Sequence, residues 1–215
     1  DLEKNIIDIK NQLSQLTEKL SGLASDISKN RKSAIPIFTE KIEKILKKLG
    51  LEKAKIEVEI SDNENFNKFG KEHIQLLFQA NTGFPLKPIQ YAISGGERSR
   101  VMLSIKKIIA ENTELPTLIL DEIDTGVSGK VANEIGNVMQ EMAENIQLIV
   151  ITHLAQVAAK GSNNYKVIKE DVNGKTQSTI IPLNEEQKLQ EIAQLLSGDT
   201  ITDAAIQQAK ELINK

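Results

Sequence analysis

The clearest chemical signal in this sequence is Leu118-Ile119-Leu120-Asp121-Glu122. An apolar strand ending in two acids sets both carboxylates at the carboxyl edge of a parallel sheet, where such folds bind ligands. In a nucleotide-hydrolysing site the first acid holds Mg²⁺ through water, and the second orients or deprotonates the attacking water. Taken alone, the pattern also fits a strand that ends in a solvated acidic turn. Three further pieces stand around it. Ser94-Gly95-Gly96-Glu97 lies 27 residues before Asp121, just ahead of a predicted helix. Adjacent glycines allow close backbone approach, and the helix start offers N–H groups and a positive dipole end, which suits a phosphate. Ser-Gly-Gly is an ordinary flexible turn as well. His153 lies 31 residues beyond Glu122 and ends the apolar run Ile149-Val150-Ile151-Thr152. A lone histidine is more often structural, but this one falls at the same predicted sheet edge as the acids. Asp124 sits in the loop immediately after the acid pair.

These side chains need a sheet and helices to position them. The spacing predicts a helix from about Gly95 to Asn112, with Met102, Ile105, Ile108 and Ile109 facing inward. Short apolar strands follow at Thr117–Leu120 and Gln147–Thr152, separated by a helix capped at Ser128 that runs to about Ala143. Continuous apolar strands alternating with helices predict a parallel sheet covered on both faces. Ahead of them, Ile56, Val58 and Ile60 alternate with charged residues as in a half-buried strand. An Asn-rich loop is expected over 61–70, then a second strand with Ile74, Leu76 and Phe78 inward. Strands over 165–169 and 176–182 flank the turn Asn173-Gly174, and helices over 185–196 and 202–213 close the chain.

The first fifty residues differ in character. Leu2, Ile6, Ile9, Leu13, Leu16, Leu20, Leu23 and Ile27 are spaced 4, 3, 4, 3, 4, 3, 4, an unbroken heptad seam. At 1.5 Å per residue this stretch is about 40 Å long. The pattern fits a coiled-coil arm entering a globular body, or an amphipathic helix packed on its own domain. The seam changes phase before Phe38 by a stutter. Pro36 falls at the change and is expected to kink or restart the helix; Gly50 ends it. The chain starts at Asp1 inside this helical pattern, which suggests a piece of a longer protein. Domains are expected at 1–50 (arm helix and its junction), 51–183 (α/β lobe) and 184–215 (closing helices).

Composition narrows the functions. The chain has 215 residues with 40% hydrophobic and 27% charged residues, an ordinary folded balance. It has no cysteine, so disulfides, Cys-ligated zinc and thiol catalysis are excluded, and two histidines make a His-rich metal site improbable. A net charge of −3 excludes a wholly basic nucleic-acid-binding surface but not a local patch. Lys44, Lys47, Lys48 and Lys53 form a small basic stretch that reads more simply as a solvated helix face. No apolar run approaches the ~20 residues of a membrane helix, and no signal peptide is visible.

The four chemical pieces, in this order and spacing, resemble the second half of an ATP-binding-cassette ATPase head. The resemblance makes Ser94, Gly95, Gly96 and Glu97 the signature motif, Asp121 and Glu122 the Walker B acids, Asp124 the D-loop acid and His153 the switch histidine. Three strings narrow it further. Asp121-Glu122-Ile123-Asp124-Thr125-Gly126-Val127-Ser128-Gly129, Leu77-Phe78-Gln79-Ala80-Asn81-Thr82-Gly83 and Thr152-His153-Leu154-Ala155-Gln156-Val157-Ala158 are similar to the RecN family of bacterial DNA-repair proteins, which is SMC-like. Nearly the whole chain is covered. Arg98 stands where that family more often has Leu, and Ala155 where it usually has Pro; neither touches the acids, glycines or histidine. The expected fold class is α/β: the C-terminal lobe of an incomplete P-loop NTPase head, its parallel sheet flanked by helices and preceded by a coiled-coil helix.

A phosphate-cradling G-x-x-x-x-G-K-[ST] is absent from the sequence. Gly174-Lys175-Thr176 is the only GK[ST], but position 169 is Lys169 rather than Gly, and the string lies in a predicted hairpin turn. The resemblance assigns the P-loop to a missing N-terminal lobe. It implies ATP and Mg²⁺ as cofactors, with Asp121 on the metal and Glu122, His153 and Asp124 as catalytic residues. It also implies a homodimer through ATP-bridged heads, in which Ser94, Gly95, Gly96 and Glu97 serve the partner's nucleotide. DNA is the expected partner, the location cytoplasmic and nucleoid-associated, and this chain alone inactive. The alternatives are a half-head of another SMC-type ATPase, or a non-catalytic coiled-coil interaction module.

Overall fold

The heptad seam folds as one helix, α1 (Leu2–Lys48), in this computed structural model. The structure describes residues 2–92, 94–121, 123, 126–172, 175–198 and 200–214, the side chains of Ala92 and Val172 excepted. The helix does not restart at Pro36, which lies inside it. Proline removes a single intrahelical N–H bond, a local loss of about 3 kcal/mol that a long cooperative helix absorbs. Gly50 ends the helix as expected. Its φ of 79° is left-handed, and the Leu51 N–H returns to the Leu46 carbonyl at 2.9 Å, the 6→1 bond of a Schellman closure. Leu2, Ile6, Ile9, Leu13, Leu16, Leu20 and Leu23 are all exposed, by 45–77%. Ile42 and Leu46, nearer the end, are fully buried.

The chain groups into two compact units, Asp1–Lys47 with Leu51–Ile93, and Lys48–Gly50 with Ser94–Lys215. In the first, β1 (Lys55–Asn67) and β2 (Gly70–Gln79) form an antiparallel hairpin. The pairs Ile56↔Phe78, Val58↔Leu76 and Ile60↔Ile74 put the predicted apolar residues on one face. The short β3 (Lys87–Pro88) adds to β2, and α2 (Ile89–Ala92) follows. The hairpin extends through the region expected to be a loop: Ser61 pairs with His73 and Asp62 with Glu72, with an irregularity before Asn67↔Gly70. Its far end is held from α1. Arg31 pairs with Glu72 at 3.1 Å and donates to the Phe69 carbonyl at 2.6 Å. Contacts between residues some forty positions apart leave no mark in local polarity, so the Asn-rich stretch reads as loop.

The second unit begins with α3 (Gly95–Asn112), then β4 (Thr117–Asp121), α4 (Gly129–Ala143), β5 (Gln147–Ile151) and the single turn α5 (Ala155–Ala158). β4 and β5 pair in parallel, Thr117↔Gln147 through Asp121↔Ile151. A hairpin, β6 (Tyr165–Val172) with β7 (Lys175–Pro182), and two helices, α6 (Glu185–Ser197) and α7 (Asp203–Ile213), complete it. Gly174-Lys175-Thr176 thus sits at a hairpin, with Gly174 itself outside the described residues. The α6 helix starts at a reciprocal Asn184–Gln187 capping box. Ile192 and Leu189 pack there among Ala155, Ala159, Ala193, Ala205 and Ala209, small residues that let helices approach closely.

Two packing expectations need correction. The parallel pair is not covered on both faces: Leu120 is buried, but Ile119, Ile149 and Ile151 are exposed by 45–57%. Both faces of this pair are apolar, yet among the described residues only one is covered. On α3, Met102 and Ile109 face outward, and the buried positions are Val101, Leu103, Ser104, Ile108 and Ala110. Met102 and Ile109 are seven residues apart and so share one helix face, which no described residue buries.

Candidate functional site

The acid pair, the histidine and the glycine turn all fall in the second unit. Asp121 is the last residue of β4 and is exposed. Because Asp121 pairs with Ile151 in a parallel register, His153 leaves the sheet at the same edge, two residues further on. His153 is exposed too. Its turn is shaped by Thr152, whose Oγ1 accepts the Leu154 N–H at 3.0 Å before α5 begins. Glu122 and Asp124 lie outside the described residues. Their neighbours Leu120 and Ile123 are buried, which anchors the chain on both sides of the acid pair.

The glycine turn opens α3 as the sequence indicates. Ser94 is the N-cap, and both its N–H and its Oγ–H donate to Glu97 Oε2, at 2.9 and 2.8 Å. The first intrahelical bond runs from the Arg98 N–H to the Ser94 carbonyl at 2.9 Å. Helix starts leave their first-turn N–H groups without intrahelical acceptors, and here two of them belong to Gly95 and Gly96. Ser94 and Gly95 are exposed. A Cβ built on Gly95 meets nothing within 4 Å, and Gly95 is not among the positive-φ glycines. Among the described residues, neither a left-handed φ nor packing against Gly95 calls for a glycine at this position.

One contact joins the acid loop to this turn. Gly126, five residues past Asp121, has φ 73°, and a Cβ built on it would stand 3.5 Å from Gly96 Cα and 3.6 Å from Gly96 N. Gly126 therefore lies close against the second glycine of the α3 turn. We expect Gly126→Ala to destabilise this unit by about 1–2 kcal/mol, since an L side chain is strained in the left-handed region. Chemical denaturation of the variant and the parent checks it; an unchanged midpoint would contradict the loop geometry.

Arg100 was not among the residues suggested by sequence. It is half-buried and donates Nε–H to the Gly96 carbonyl at 3.0 Å and Nη1–H to the Leu49 carbonyl at 3.1 Å. Burial pulls its guanidinium below its ordinary pKa, and the charge of Glu97 pulls the other way. Its place four residues after Gly96 on a helix was the available signal. Nearby, Lys107 bridges Glu111 and Glu141, both at 3.1 Å, and Lys48 reaches Glu141 at 3.5 Å. Burial pushes the Lys107 ammonium down, but its hydrogen bonds to the two glutamates outweigh this and raise its pKa.

No family model matches the chain. It is 34% identical to the DNA repair protein RecN of Vibrio cholerae over 94% of its own length and 39% of that protein. It is 32% identical to that of Bacillus subtilis over 99% of its length and 40% of that protein. The chain thus spans about two fifths of the length of the curated relatives it matches. Among solved structures, the Smc head domain with a coiled coil and joint from Pyrococcus yayanosii superposes with a TM-score of 0.60 at 19% identity, over 88% of this chain and 36% of that one. A structure described for ATP-driven dimerization and DNA-stimulated activation of SMC ATPases gives 0.56 at 17% identity, over 81% of this chain and 99% of that one. The fold is that of an SMC head, and the sequence kinship is to one repair family: the chain corresponds to the C-terminal part of the RecN family of DNA repair proteins.

Proposed function

We propose that this chain is the C-terminal lobe of an ATPase head whose full-length protein binds and hydrolyses ATP to dimerise its heads and tether DNA during double-strand-break repair. The observation that carries the reading is the convergence on one sheet edge: Asp121 and His153 leave adjacent parallel strands there, and Gly126 lies close against the open glycine turn of α3. The exposed face of Ile119, Ile149 and Ile151 supports a further lobe packing on β4 and β5. We assign the P-loop to that lobe.

The donor set fits Mg²⁺·ATP. No group of three His, Asp or Glu among the described residues gathers as a metal cage. Mg²⁺ does not need one: it is commonly held by one or two carboxylates, waters and the substrate's own phosphates. Bound Mg²⁺·ATP supplies the electrophilic phosphorus. Asp121 would hold the metal, and Glu122 would orient the attacking water and accept its proton. His153 and Asp124 would complete the catalytic set at that edge. Gly95 and Gly96 would present their N–H groups to the nucleotide of a second head, with Ser94 beside them. Ser94 Oγ–H, now donated to Glu97, must turn away from that carboxylate before it can donate to a phosphate. Water excluded between two heads strengthens each of these contacts.

DNA as partner rests on the relatives' name, with work at the nucleoid in the cytoplasm. No helix among the described residues is long and apolar enough to cross a membrane. The basic stretch adds little to a DNA surface, since Lys44 is paired with Glu40 at 2.6 Å and Lys48 with Glu141. The test is turnover. Pure chain, as the 215 residues given, is expected to show no Mg²⁺-dependent ATPase, while the full-length protein does. Turnover by the chain alone that Glu122→Gln abolishes would overturn the assignment of the P-loop to another lobe.

A further inference from the structure

Lys48–Gly50 close the long helix, and they group with the second unit. Three contacts there hold them. Lys48 pairs with Glu141 at 3.5 Å. The Leu49 carbonyl, left free by the helix end, accepts Arg100 Nη1–H at 3.1 Å. A Cβ built on Gly50, already at φ 79°, would stand 3.0 Å from Val131 Cγ2 and 3.7 Å from Arg100 Nη1. The same Arg100 gives its Nε–H to the Gly96 carbonyl at 3.0 Å. Gly96 in turn lies close against Gly126. One guanidinium therefore spans the closing turn of the long helix and the glycine turn. The fork geometry matters: arginine presents donors at fixed angles to two acceptors at once, which an ammonium does not.

We propose that Arg100 is a positioning residue that fixes the Ser94–Gly96 turn to the residues closing the long helix, and so holds that turn in the attitude needed to grip the second head's nucleotide. It touches neither nucleotide nor metal. The inference rests on the ATPase-head reading above. A helix start that presents N–H groups to an anion loses force when misaligned by about 1 Å. Glycine-glycine backbone has little stiffness of its own, so a carbonyl tether at Gly96 supplies it.

The test uses the full-length protein in a Glu122→Gln background, so that hydrolysis does not dissolve the dimer. Two quantities are read: binding of a fluorescent ATP analogue to the monomer, and ATP-dependent dimerisation by light scattering. Arg100→Ala is expected to weaken dimerisation about tenfold or more, the weight of one charge-assisted hydrogen bond. Monomer binding of the analogue, which depends on the other lobe's P-loop, is expected to stay within about twofold. Arg100→Lys, which keeps the charge and can reach one carbonyl, is expected to lie between and decides the matter if the Ala variant does not fold. Dimerisation within twofold of the parent in Arg100→Lys and Arg100→Ala overturns the proposal. So does a parallel fall of binding and dimerisation, which marks a merely structural arginine. If the Glu122→Gln parent itself does not dimerise on ATP, the ATPase-head reading fails and takes this inference with it.

Discussion

Glu122→Gln in the full-length protein is expected to stop turnover and leave a stable ATP-bound dimer of heads. The amide has the carboxylate's shape but cannot accept the proton of the attacking water. Loss of a general base costs about 10²–10⁴-fold in rate. Binding should not suffer, because removing a negative charge beside the phosphates lessens repulsion. Asp121→Asn should act differently: Asp121 closes β4 at the sheet edge, and losing its charge weakens metal-dependent nucleotide binding rather than the proton transfer alone. The two variants thus separate the roles of adjacent acids. Steady-state kcat and a size measurement with and without ATP decide between them. Normal hydrolysis by Glu122→Gln would remove Glu122 as the base, and the remaining candidate at that edge would be His153.

Local signals and long-range contacts explain which parts of this arrangement could be read from residues alone. Helix α3 starts and stops where the Ser94 cap and the break before Pro116 put it, and β4, α4 and β5 follow their apolar runs closely. Those signals are periodicity and capping, and both act within a few residues. The two strands of the hairpin are legible, but its continuation through 61–70 reads as loop because Arg31 on α1 secures its far end. Met102 and Ile109 read as inward-facing on α3 but are exposed, since an apolar residue is by itself no guide to direction on a helix. Likewise the β4–β5 pair reads as doubly covered because its composition is right for that environment, while only one face is covered here. Residue types and order single out Ser94, Gly95, Gly96, Asp121 and His153 as candidates, and the described ones fall on the helix start and strand edge expected of them. The bond geometry of Arg100 and the approach of Gly126 to Gly96 required folded distances.

Gly95→Ala offers the sharpest contrast between a glycine kept for the fold and one kept for a ligand. The added methyl meets nothing within 4 Å of its own chain, and the backbone there does not need positive φ. Alanine also favours helix over glycine by about 0.5–1 kcal/mol in a helix interior, and by less at a first turn. Thermal stability is therefore expected to hold or rise slightly. Function should fall sharply, because the methyl occupies the space through which a phosphate must come to reach first-turn N–H groups. A displacement of about 1 Å at such a site costs about 10²-fold. ATP-dependent dimerisation and kcat are expected to drop together by about that factor, while ATP binding to the monomer stays intact, since the turn serves the nucleotide of the other head. Gly126→Ala is the control: there the loss begins with stability, because φ 73° itself strains an L residue. Should Gly95→Ala turn over ATP normally, the α3 turn is not a close-approach site, and the open space beside Gly95 has no role in gripping phosphate.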